Sequence, residues 1–96
     1  MNTIERIRLS LEDIQTKKIH SDFRVLKLSN QGTTINMWVS VDKSKDEIDL
    51  DIIVKRTGDR IEKHLGYIDT LFIGSEPYHF FADIKDMLEN YLKEVF

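Results

Sequence analysis

Three carboxylates at alternate positions, Glu47, Asp49 and Asp51, run toward Ile53 and Lys55, and the chain's single tryptophan, Trp38, precedes them. Acids beside a lysine are the raw material of a magnesium-dependent nuclease, whereas an indole and an isoleucine rimmed by carboxylates are the raw material of a protein-binding patch. The nuclease reading fails on geometry. Along an extended strand each residue advances about 3.3 Å, so these acids and Lys55 are strung out instead of converging on one ion. The binding reading stands, with Trp38, Glu47, Asp49, Asp51 and Ile53 as the candidate surface for a basic protein partner, drawn in by the acidic rim.

The remaining chemistry is thin. Asp42, Ser44 and Asp46 begin like a calcium loop, but Glu47 and Ile53 stand where the loop needs its glycine and its final glutamate. His20, His64 and His79 form no i, i+4 metal pair, and there is no phosphate-binding loop, dinucleotide fingerprint or nucleophile elbow. Neither a metal, a cofactor nor an enzymatic activity is expected. A second cluster, Lys55, Arg56, Arg60 and Lys63, is the alternative basic patch, suited to single-stranded nucleic acid.

The elements that must position these residues follow from periodicity. Ile35, Met37, Val39 and Val41 alternate with polar partners and Trp38, and Ile48, Leu50, Ile52 and Val54 alternate in the same way, so both runs are expected as half-buried strands. Polar residues 42–46 between them predict a hairpin in which Val41 pairs with Ile48 and Trp38 lies opposite Asp51. Residues 23–28 read as a further strand, and 61–73 as another, rich in β-formers, with Gly66 as a candidate bulge, although an Asp59/Glu62 capping box and Ile61, Leu65, Ile68 and Phe72 at helical spacing leave a helix open there. At the N-terminus Ile4, Ile7, Leu11 and Ile14 share one helical face behind an Asn2/Glu5 capping box, which predicts a helix over 3–18. Its rival is a short strand through Ile7, Leu9 and Leu11. Ser75 as N-cap, Pro77 in the first turn and a stripe through Phe81, Ile84, Leu88, Tyr91, Leu92 and Val95 predict a C-terminal helix.

Together these elements predict one domain over 1–96 of α+β class: two layers, an antiparallel sheet of three to four strands carrying an N-terminal and a C-terminal helix. The 96 residues, 41% hydrophobic and 32% charged, suit a single globular core. No segment approaches the roughly 20 apolar residues of a membrane helix, and the absence of cysteine fits the reducing cytoplasm. A net charge of −3 argues against broad binding to nucleic acid. In size, acidic composition and lack of catalytic motifs the chain is similar to small inhibitors and immunity-type proteins of phages and mobile elements, which implies a non-enzymatic protein that blocks a basic, nucleic-acid-handling target. A wide apolar surface on the C-terminal helix would also allow a homodimer.

Overall fold

The computed structural model describes residues 1–83, which form seven strands and no helix. They are β1 (Asn2–Leu9), β2 (Ile14–His20), β3 (Phe23–Gln31), β4 (Thr34–Asp42), β5 (Glu47–Lys55), β6 (Leu65–Ile73) and β7 (Glu76–Asp83). Two antiparallel sheets stack face to face: one orders its strands β1-β4-β3, the other β2-β5-β7-β6. The architecture is all-β, and the α+β expectation is overturned.

The core lies between the sheets. Ile35, Met37, Val39 and Val41 of β4 are fully buried and face Leu50, Ile52 and Val54 of β5 and Phe80 of β7. Alternation in β4 and β5 is therefore real, but its geometric meaning differs from a hairpin. Two amphipathic strands can bury their apolar sides by pairing edge to edge in one sheet or by stacking across two sheets about 10 Å apart. Here they stack. Residues 42–46 carry the chain from one sheet to the other, with Asp42 Oδ1 accepting from the Ser44 hydroxyl (2.7 Å) and backbone N–H (3.0 Å). These two bonds, the hydroxyl foremost, hold the Asp42 carboxyl below its ordinary range.

Hairpins do occur, at β3–β4 and β6–β7, each closed by a two-residue turn. Gly32 (φ 59°) opens the first and Gly74 (φ 65°) the second, conformations that disfavour a side chain. The edge strands β3 and β6 each carry one bulge, at Leu26 and at Ile68. The bulge of β6 is two residues beyond the glycine expected to form it. It moves Leu71 to the inner face while Tyr67 stays outside, where unbroken alternation puts both on one side.

The expected N-terminal helix is replaced by β1 and β2, which belong to different sheets. Its proposed stripe is dispersed: Ile4 and Ile14 are exposed, and only Ile7 and Leu11 pack on the core. The link between the two strands is pinned by buried Gln15, whose amide accepts from Ser10 N–H (2.9 Å) and donates to the Ser10 carbonyl (2.8 Å). At the other end, Ser75 and Pro77 start no helix. Ser75 is in the β6–β7 turn and Pro77 pairs with Phe72 near the start of β7, beyond the last β5 pair at His79, a position where a strand tolerates proline. Phe80 and Phe81 are buried on opposite faces of β7 and do not lie on one helical stripe. The rest of that expected helix, and the dimer surface assigned to it, fall outside the described residues.

Candidate functional site

Because β4 and β5 belong to different sheets, the expected five-residue surface is divided. Trp38 is on the outer face of the three-stranded sheet, and Glu47, Asp49, Asp51 and Ile53 are on the outer face of the other. Trp38 does not pair with Asp51.

Its actual neighbours are cations. Antiparallel register puts Arg6 of β1 on one side of Trp38 and Lys27 of β3 on the other. One outward step along the strands brings Arg8 beside Asn36, and the opposite step brings Arg24 beside Ser40. Directly paired residues share a face, so these four cations and the half-buried indole form one surface. None of the four has an ion pair among the described residues. The outward carboxylate on β4, Asp42, lies at the strand's far end and is engaged by Ser44. The indole Nε1 makes a long contact to Ser29 Oγ (3.4 Å). Beside it, Asn36 Oδ1 is buried with no donor among the described residues, an unsatisfied acceptor of the kind that costs about 1–3 kcal/mol.

Sequence reasoning set Arg24 and Lys27 near Trp38, outweighed by an acidic ring that the structure does not form, and missed Arg6 and Arg8. Alternation alone marks Arg6 and Arg8 as outward only once β1 is read as a strand, and the Leu26 bulge is what brings Lys27 beside the indole.

On the other sheet the carboxylates are partly occupied. Lys18 Nζ bonds Asp49 Oδ1 at 2.7 Å, and Thr16 Oγ1 donates to Asp51 Oδ1 at 2.6 Å. Asp49, through hydrogen bond and charge, raises the Lys18 ammonium above its ordinary range. Glu47 lies opposite His20, whose Nδ1 is 2.8 Å from the Lys45 carbonyl oxygen. Ile53 is the centre of an apolar row that crosses all four strands in register: Ile14, Ile53, Phe81, Tyr67. Phe81 and Tyr67 meet edge to face, with centroids 5.5 Å apart at 63°.

The alternative basic patch is not a free cationic surface. Lys55 pairs with Glu62 (3.2 Å), and Arg56 pairs with Glu76 (2.6 Å) while its guanidinium lies 4.3 Å from the Tyr78 ring centroid. Arg60 and Lys63 are exposed on the 56–64 connection. Glu62 accepts its own backbone N–H and the Lys55 ammonium, which together hold its carboxyl below the ordinary range. Among the described residues no group of three or more His, Cys, Asp or Glu could hold a metal ion, and no helix is long and apolar enough to cross a membrane.

The described residues thus define a small β-sandwich with one cationic, tryptophan-bearing face and one acidic, apolar-centred face. The chain belongs to the family described as a domain of unknown function (DUF7352), which it matches over residues 1–90. No curated protein and no solved structure matches it.

Proposed function

We propose that the chain is a non-catalytic binding module that holds a single-stranded nucleic acid on the outer face of β1, β4 and β3. The observation that carries this reading is the set of four cations, Arg6, Arg8, Arg24 and Lys27, around the only tryptophan, none of them in an ion pair and no carboxylate flanking Trp38 among the described residues. Exposed bases stack on an aromatic platform, a contribution of about 1–3 kcal/mol per base, while the cations follow the phosphates. The net charge of −3 is no obstacle, because the acids collect on the other sheet and the local field at Trp38 is positive. A cytoplasmic setting goes with this reading, and the cysteine-free composition is compatible with it.

The test uses the fluorescence of the lone tryptophan, which reports from the proposed site itself. Titration with oligo-dT and oligo-U should quench Trp38, and log affinity should fall with log salt at a slope of about −3, given roughly 0.7 per neutralised phosphate on a single strand. Absence of quenching by either homopolymer overturns the proposal. Quenching by polyglutamate but not by the oligonucleotides would reassign the face to an acidic protein.

A second reading keeps the inhibitor or immunity-type function and rests on the other sheet. The Ile14, Ile53, Phe81, Tyr67 row beside Glu47, Asp49 and Asp51 has the apolar centre and charged rim of a surface for a basic protein. It ranks second because Lys18 and Thr16 already occupy Asp49 and Asp51. A salt-sensitive complex with a basic protein, lost on combined Asp49→Lys and Asp51→Lys and indifferent to Trp38→Ala, would move it to first place.

A further inference from the structure

On the face opposite Trp38, strands β5, β7 and β6 and the 56–64 connection enclose a cleft of about 540 Å³, within the range of small-molecule sites. Its apolar lining comes from Phe81, Tyr67 and Ile61. The connection beside it carries a turn and an ion pair. Asp59 Oδ2 accepts the Arg56 N–H (2.7 Å), the Asp59 N–H returns to the Arg56 carbonyl (2.9 Å), and Lys55 ties down Glu62 (3.2 Å).

A continuous hydrogen-bonded chain runs along the cleft wall. Tyr67 Oη contacts Thr70 Oγ1 (2.7 Å), Thr70 Oγ1 contacts His79 Nδ1 (2.8 Å), and His79 Nε2 contacts Thr57 Oγ1 (2.9 Å). With a neutral imidazole each of the four groups carries one exchangeable proton, and the three contacts consume three of them. One donor is therefore left for a ligand. When the chain is polarised toward Thr57, that residue donates and Tyr67 offers a lone pair; reversal of the chain exchanges the two roles. In each of these two states the wall presents one donor and one acceptor.

Charge does not select strongly here. Lys55 is paired with Glu62 and Arg56 with Glu76, Asp59 adds a negative charge, and Arg60 and Lys63 stand exposed on the same connection.

We propose that this cleft binds a small, planar aromatic or heteroaromatic molecule whose polar edge can donate and accept a hydrogen bond. The ring lies against Phe81, Tyr67 and Ile61, and the polar edge meets the hydroxyl–imidazole chain. The site is independent of the nucleic-acid face, being on the other sheet.

The test is a titration of the ¹⁵N-labelled full chain with benzamide, which should shift the amide resonances of Thr57, Gly58, Thr70 and His79. Thr57→Val keeps the shape of an exposed turn residue and removes the terminal hydroxyl, so it should weaken benzamide by about threefold or more, within the worth of one neutral hydrogen bond. The proposal is overturned by the absence of localised shifts at about 10 mM benzamide or by unchanged affinity in Thr57→Val.

Discussion

Ser40→Glu sets stability and binding against each other on the Trp38 face. Ser40 lies between Ile4 and Arg24 in cross-strand register, one outward step from Trp38. A glutamate there faces an arginine that has no ion pair among the described residues, and an opposite-charge pair in register is worth about 0.2–1 kcal/mol in a sheet. Asp42, the nearest like charge along the strand, is held by Ser44. The substitution should therefore stabilise the fold slightly. It should also withdraw one of four cations from phosphate. With roughly 0.7 per phosphate, the salt slope of oligonucleotide binding goes from about −2.8 to about −2.1, so raising salt from about 50 to about 200 mM weakens the parent about fifty-fold and the variant about twenty-fold. Thermal melting followed by circular dichroism reads the first effect and Trp38 quenching at several salt concentrations reads the second. A lower melting temperature combined with an unchanged slope would refute both the placement of Arg24 and the role assigned to the face.

Other substitutions test the architecture and the site from different sides. Asn36→Val removes the buried Oδ1, which has no partner among the described residues, so urea melts should show a gain of about 1 kcal/mol; a loss of stability would mean that Oδ1 has a partner. Phe80 is fully buried in the centre of its sheet, and Phe80→Ala should cost about 3–5 kcal/mol, against about 0.5–1.5 for Ile52→Val, both read by denaturant titration. Gly74→Ala introduces a Cβ that meets nothing within 4 Å at φ +65°, so its cost should be the backbone term alone, about 1–2 kcal/mol. The Glu62 carboxyl, held low in the folded chain, contributes stability that is present above its unfolded value and lost as pH falls through the folded one. Its side-chain NMR titration should have a midpoint below the ordinary glutamate range and should move back toward that range in Lys55→Met.

How far the fold was legible depends on whether an element is decided locally. Alternation through 35–41 and 48–54 marks two strands and their buried sides, and the structure buries Ile35, Met37, Val39, Val41, Leu50, Ile52 and Val54 as that pattern requires. The pattern is silent on partners, since a strand with one apolar face is equally satisfied beside its neighbour or across from it. The polar link 42–46 fits both, being short enough for a hairpin loop and long enough, at about 3.3 Å per residue, to step between sheets. The surface built on the wrong pairing was divided as a result. At the N-terminus the periods themselves compete. Ile4, Ile7, Leu11 and Ile14 satisfy a helix, Ile7 and Leu9 satisfy a strand, and tertiary pairing with β4 and β5 decides the outcome. The capping signals at Ser75 and Pro77 suit a tight turn as well as a helix start, because both need residues that tolerate a lost or redirected N–H.

Moving from hairpin to sandwich also reverses the electrostatic argument. Had Trp38 stood opposite Asp51, phosphate would have been repelled and a basic protein favoured. With β4 and β5 in separate sheets, the same residues separate by sign: Arg6, Arg8, Arg24 and Lys27 surround Trp38, and Glu47, Asp49 and Asp51 lie beyond the core on the opposite surface. A polyanion approaching such a molecule is attracted to one face and turned away from the other, so charge separation orients the encounter before any contact forms. The arrangement also bears on which reading a mutation addresses. Charge reversal at Asp49 and Asp51 leaves the near field of Trp38 intact, and loss of Arg6 or Lys27 leaves the acidic face untouched, so variants on opposite sheets should add independently. Non-additive binding effects between Arg6→Ala and Asp51→Lys would show that one partner spans both faces, and that the two surfaces work as one.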